Sequence, residues 1–224
     1  MLKEDELQEV KKSFTFWQKL TKEQQEQIIT KIKPVSYQKG ESIYDAQREC
    51  LGVMLIKSGE LRTYILSTEG KEITLYRQNA GEICVMSASC VIKQITFDVH
   101  IEAEQDSEVL LLEAADFSRL MVDNIYVENF ALKATTDKFS EVMWVMEQIL
   151  FMSFDQRLAI FLLDEIARSG SDEIKLTHEQ IARYMGSARE VVSRMLKYFE
   201  SEGIIRRHRG GLKVLSRSKL QGLI

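Results

Sequence analysis

The chain has 224 residues, 45% of them hydrophobic and 29% charged, with a net charge of −4. No apolar run is long enough to span a bilayer, and the charged start MLKEDELQEVKK has no apolar leader segment, so a cytoplasmic protein without a membrane partner is expected. Cys50, Cys84 and Cys90 form no Cys-x-x-Cys pair, and with only three histidines neither a disulfide framework nor a zinc site is indicated.

The charge is unevenly spread. Residues 1–152 hold 17 Lys/Arg against 25 Asp/Glu, whereas residues 153–224 hold 13 against 9. A basic C-terminal domain joined to an acidic partner fits nucleic-acid contact confined to one end. Residues 3–32 read as helices, with Phe14, Phe16, Trp17, Leu20, Ile28, Ile29 and Ile32 as the apolar set. Thr21 and Gln24 make a capping box, and Pro34 breaks the pattern. From Val35 to Leu112 the period changes to two, with glycines at 40, 52, 59, 70 and 81. Ser67–Glu72 reads as a hairpin turn, and further strands are expected at about 97–103 and 107–113. Many short strands with glycine turns imply a β-sandwich or barrel.

Within that region the segment 81–104 holds Gly81, Glu82, Cys84, Met86, Ser87 and Cys90, the candidate effector pocket. Cys84 and Cys90 suit a redox-sensing pair, or a ligand pocket with His100 or a methionine as haem ligand; as small apolar side chains they equally suit a core. A short helix at 117–121 precedes a long helical run from about Asn124 to Met152. Its Ile125, Leu132, Phe139, Val142, Met146 and Ile149 follow a 3–4 seam, which predicts a two-stranded coiled coil and a homodimer. Ser153 and Gln156 cap the next helix, and GSDE at 170–173 leads into a short strand.

Two short helical patterns then meet at Gly186. Thr177 and Gln180 form one capping box, and Ser187 and Glu190 a second. The second helix, about Ala188 to Ser201, turns Val192, Met195, Leu196 and Phe199 inward and leaves Arg189, Glu190, Ser193 and Arg194 on its exposed first turns. A helix-turn-helix needs this arrangement, because the start of its second helix enters the major groove. Two strands follow, with Arg207, His208, Arg209, Gly210 and Gly211 as a basic turn between them, and Ser216 caps a terminal helix.

The segment GSAREVVSRMLKYFESEGII resembles the winged helix-turn-helix of the Crp/Fnr transcription regulators: a turn glycine, Arg-Glu-x-x-Ser-Arg, then a Leu-rich run ending in Glu-Gly-Ile. Arg189, Glu190, Ser193 and Arg194 match in register, and Gly40, Gly59, Gly70 and Gly81 fall at the turns of that family's β-roll. The resemblance implies an α+β fold. It comprises a jelly-roll-like β-roll sensor with N-terminal helices (1–123), a dimerisation helix (124–152) and a DNA-binding winged helix-turn-helix (153–224). Leu132, Phe139, Val142, Met146 and Ile149 would form the dimer interface. Arg189, Glu190 and Arg194 would read bases in double-stranded DNA, while Thr177, Ser187, Ser193, Arg207 and Arg209 hold the backbone. RNA polymerase is a further expected partner.

Cluster-bearing members of the family carry four ligand cysteines, mostly near the N-terminus, so no iron–sulfur cluster is expected. Cyclic-nucleotide-binding members place an Arg-Ser pair between the Gly-Glu and the next strand, here anchored on FDVHIEAEQDSEVLL. Phe97 and Asp98 stand at those positions, and no arginine lies between Arg77 and Arg119. A buried cyclic phosphate would lack its guanidinium, with Lys93 the one substitute cation, which weighs against cyclic AMP. The effector is therefore expected to be a redox signal at Cys84 and Cys90, or an apolar or haem-like ligand near Met86. Two other readings are a cyclic-nucleotide-binding regulator of the same fold and a thiol-based redox enzyme. Against the enzyme, no His, Lys or Arg accompanies Cys84 or Cys90 at a recognisable spacing.

Overall fold

The computed structural model describes residues 2–45, 51–85 and 99–224. They form two compact units, Met1–Ile65 with Leu75–Val142, and Leu66–Thr74 with Met143–Ile224.

The first unit opens with α1 (Glu4–Ser13), a 3-10 turn at Trp17–Lys19 and α2 (Lys22–Lys31). Thr21 caps α2 as its sequence predicts, accepting from the Gln24 N–H at 3.2 Å. Strands β1 (Lys33–Tyr37), β2 (Ser42–Tyr44), β3 (Gly52–Ser58), β4 (Glu60–Leu66), β5 (Glu72–Asn79), β6 (Ile83–Cys84), β7 (His100–Ala103) and β8 (Ser107–Glu113) follow. They make two four-stranded sheets, ordered β1-β8-β3-β6 and β2-β7-β4-β5. Pro34 is tolerated because β1 is an edge strand, where its missing N–H breaks no inner ladder.

Two-residue alternation lets β3 serve two cores at once. Val53 and Leu55 pack among Val10, Phe14, Trp17 and Phe117 under the N-terminal helices. Met54 and Ile56 face the roll interior with Ile43, Leu61, Tyr76, Cys84 and Ile101. β8 does the same, sending Leu110 and Leu112 one way and Val109 the other. Each such side chain contributes about 1.5–3 kcal/mol by leaving water. On α1, the buried Glu6 carboxylate accepts from Lys57 at 2.7 Å, fastening that helix to β3. The roll is followed by α3 (Ala114–Asp123) and the 27-residue α4 (Ile125–Phe151).

The second unit holds α5 (Phe154–Ser169), β9 (Glu173–Ile174), α6 (His178–Met185), α7 (Arg189–Ser201), β10 (Ile205–His208), β11 (Gly211–Val214) and α8 (Arg217–Gln221). Its three strands are ordered β10-β11-β9, all antiparallel. Leu158, Leu162 and Ile166 of α5, Ile181 and Met185 of α6, and Val192, Leu196 and Phe199 of α7 close on Ile205, Leu212 and Leu220. The i, i+4, i+7 spacing on α7 puts its apolar stripe inward and leaves the opposite face open.

Candidate nucleic-acid interface

Helix α6 opens on the expected capping box. The Thr177 hydroxyl accepts from the Gln180 N–H at 3.2 Å, and Gln180 Oε1 accepts from the Thr177 N–H at 2.8 Å. Gly186 ends the helix with φ +61°, a left-handed conformation that a Cβ disfavours. The second box does not form. The Ser187 N–H donates to Ala182 O at 3.0 Å, so Ser187 belongs to the turn and Ala188 takes the N-cap position without a side-chain acceptor. Glu190 thereby stands at the second helical position, one short of the place a box requires.

Arg189, Glu190 and Arg194 are exposed and Ser193 is half-buried on the first two turns of α7. The side chains of Arg189, Glu190 and Arg194 make no hydrogen bond or ion pair among the described residues. His178, at the start of α6, is held below its ordinary pKa by burial first, then by the charges of Arg207 and Arg189.

The wing is β10, the turn at Arg209–Gly210, and β11. Arg209, Arg206 and Lys213 are exposed. Arg207 is not free: its Nε and Nη2 donate to Glu200 Oε2 at 2.9 and 2.6 Å, and its N–H donates to Glu200 Oε1 at 2.8 Å. These bonds, the backbone one foremost, hold the Glu200 carboxyl below its usual range. The sequence placed Arg207 on the DNA backbone, and the fold makes it a brace between wing and recognition helix. Glu200 was missed because it sits seven residues upstream on another element, a spacing that no local rule marks.

Residues 156–223 match the model of the Crp-like helix-turn-helix domain, and residues 34–124 that of the cyclic nucleotide-binding domain. A crystal structure of a Crp/Fnr-family protein from Eubacterium rectale is 42% identical, with a TM-score of 0.91, over 95% of this chain and 98% of that one. The chain belongs to the Crp/Fnr family of DNA-binding transcription regulators. Among curated relatives, the transcriptional regulatory protein btr of Bordetella pertussis is 24% identical over 85% of this chain and 80% of its own. The cyclic AMP receptor protein of Thermus thermophilus is 23% identical over 88% and 87%.

In this Crp/Fnr regulator three of the residues singled out as a candidate effector pocket, Gly81, Glu82 and Cys84, lie among the described residues. Gly81 and Glu82 form the turn closing β5 onto β6, where Glu82 Oε2 accepts from the Asn79 N–H at 2.7 Å and Oε1 lies 3.7 Å from Lys138 Nζ. Glu82 is thus committed to its own turn. Cys84 is fully buried beside Met54 in the roll interior. Met86, Ser87 and Cys90, with Cys50, Lys93, Phe97 and Asp98, lie outside the described residues. His100 is half-buried and stacks on Tyr64, centroids 5.2 Å apart. Among the described residues no group of three or more His, Cys, Asp or Glu could hold a metal, and no helix is long and apolar enough to cross a membrane.

The sequence did not single out what the sensor interior does contain. The Thr63 and Tyr76 hydroxyls are both buried there. Burial, then the nearby Cys84, pushes the Tyr76 phenol well above its ordinary value. Lys138 Nζ of α4 stands 4.8 Å over the Tyr76 ring. Arg62 of β4 is wholly buried, bonded to Glu102 at 2.8 Å and stacked 4.2 Å from the Tyr64 ring. Along α4, Ile125, Leu132, Phe139, Met146 and Ile149 are exposed, between 39% and 59%. Val142 differs: it is half-buried and packs on the roll core. Its side chain therefore serves the roll side of the helix as well as following the seam spacing.

Proposed function

We propose that this Crp/Fnr protein is a cytoplasmic homodimer that reads a palindromic operator and recruits or blocks RNA polymerase there under control of its roll domain. The observation that carries the reading is the open set Arg189, Glu190 and Arg194, with no partner among the described residues, on the first two turns of α7. Arg189 and Arg194 donate to guanine O6 and N7, and Glu190 accepts from cytosine N4. Thr177, Ser187, Ser193 and Arg209 hold phosphates, with Arg206 and Lys213 beside them. Arg207 orients the wing through Glu200.

The apolar stripe Leu132, Phe139, Met146 and Ile149 supports pairing through α4, which sets the half-sites about one helical turn apart. In functional terms the chain divides into a sensor at 1–123, a dimer helix at 124–152 and a reader at 153–224. Selection of bound sequences from random DNA tests the reading: a palindrome with G·C pairs in each half-site is expected, and no enrichment would refute it.

The input is a redox signal at Cys84 and Cys90, or an apolar or haem-like ligand, rather than cyclic AMP. The match of residues 34–124 to the cyclic nucleotide-binding domain favours a second reading, a nucleotide effector. Calorimetry with millimolar cyclic AMP separates them, because a micromolar dissociation constant would establish the nucleotide.

A further inference from the structure

Consecutive residues of β10 leave the sheet on opposite faces. Arg207 goes to Glu200 on α7, and His208 goes the other way. His208 pairs in register with Gly211 of β11, the middle strand, and its Nε2 contacts Glu173 Oε1 on β9, the strand beyond. The ring can cross because Gly211 has no side chain. A Cβ there would stand 3.1 Å from His208 Cε1 and 2.3 Å from the Ile174 carbonyl oxygen. The second ring nitrogen, Nδ1, lies 3.2 Å from the carbonyl oxygen of Arg209.

Both partner atoms are acceptors. A neutral imidazole has one N–H and one lone pair, so either tautomer would set that lone pair against the carboxylate or the carbonyl. Only the imidazolium donates to both. A proton on Glu173 would satisfy the same contacts, so either way the pair holds one proton more than a neutral imidazole beside a carboxylate.

We infer that His208, Glu173 and Gly211 form a proton-dependent clasp that positions the wing turn for DNA. The imidazolium tethers the Arg209 carbonyl and so fixes the turn that presents the Arg209 guanidinium. It also cancels the Glu173 charge on the face that meets phosphate. On that face Arg206 of β10, Lys213 of β11 and Lys175 beyond β9 are the other charged groups, by strand alternation. The inference rests on the DNA-binding reading. Its consequence is that wing-dependent affinity is greatest with His208 protonated and declines as pH rises through the imidazole range.

The test uses the full chain carrying His178→Gln, which removes the other histidine near the interface. Binding to a mixed-sequence duplex of about 30 base pairs, three helical turns, is measured from about pH 5.5 to 8.5, the range in which imidazole titrates. Affinity should fall about two- to fivefold across that range, the size expected of an exposed ion pair, and His208→Gln should remove this fall. In parallel, NMR titration of the imidazoles follows His208 directly, with its signal assigned by its loss in His208→Gln. Its midpoint should drop in Glu173→Gln and in Gly211→Ala. Should Gly211→Ala fail to fold, Glu173→Gln decides alone. An unchanged His208 midpoint in Glu173→Gln, or the same pH slope in His208→Gln as in its parent, overturns the clasp. If the parent bound no duplex at any pH, the DNA reading would fail, and the NMR titration would still judge the clasp.

Discussion

Replacing Phe139 with Glu should convert a dimer into a folded monomer. Phe139 is 59% exposed on α4. With about 200 Å² on a phenylalanine ring, roughly 120 Å² remains open to a partner, worth about 3 kcal/mol per chain at 25 cal/mol/Å². A twofold interface covers the residue twice, giving about 6 kcal/mol per dimer, and even half of that weakens association about a hundredfold. Sedimentation velocity at micromolar concentration should show the wild type as a dimer and Phe139→Glu as a monomer with an unchanged circular dichroism spectrum. Val142 supplies the contrast, since its side chain packs on the roll core. Val142→Ala should leave the dimer intact and cost about 1 kcal/mol of stability, a fall of roughly 2–4 °C in Tm. A monomeric wild type, or dissociation by Val142→Ala with Phe139→Glu still dimeric, would refute this assignment of faces.

Arg189→Ala should cost about 1–3 kcal/mol at one base pair and relax specificity there, whereas Arg209→Ala should weaken every sequence alike and lower the salt slope by about one unit; fluorescence anisotropy over a salt series separates the two. Arg62→Ala removes a buried partner of the Glu102 carboxylate, so a loss of about 3–5 kcal/mol is expected by urea denaturation. The Lys57 hydrogen bond, then that of the Lys3 N–H, lowers the Glu6 pKa from its ordinary 4.5. A depressed carboxylate adds stability that is complete above 4.5 and is lost as pH falls through the folded value, so Lys57→Met should shrink the acid-side loss of Tm.

The helix-turn-helix was legible because its signals are local. Thr177 caps three residues ahead, Gly186 needs its left-handed turn, and the stripe Val192, Leu196, Phe199 has helical spacing. The roll strands were legible by alternation. Failures came where one local signal competed with another or where partners lie far apart in the chain. Ser187 has the right spacing to Glu190, but its N–H is already committed to closing α6. Arg62 carried no local signal, because its partner Glu102 lies forty residues on. Arg207 reads as a basic wing residue until Glu200 is seen across from it. Val142 has the seam's spacing, but the roll residues it packs on lie far away in the chain.

The three side chains assigned to base reading make no hydrogen bond or ion pair among the described residues. Arg189, Glu190 and Arg194 project from a helix whose hold on the molecule comes from its opposite face, while Arg207 and Glu200 join wing to helix without them. Exchanges at these positions therefore alter which operators are recognised at little cost in folding, since exposed substitutions away from packed or paired groups usually stay within about 0.5 kcal/mol. A lineage could rewire its promoters through such replacements one at a time and pass through no unfolded intermediate. The same independence lets a designer graft a different triplet at 189, 190 and 194 and leave the remainder of the reader untouched.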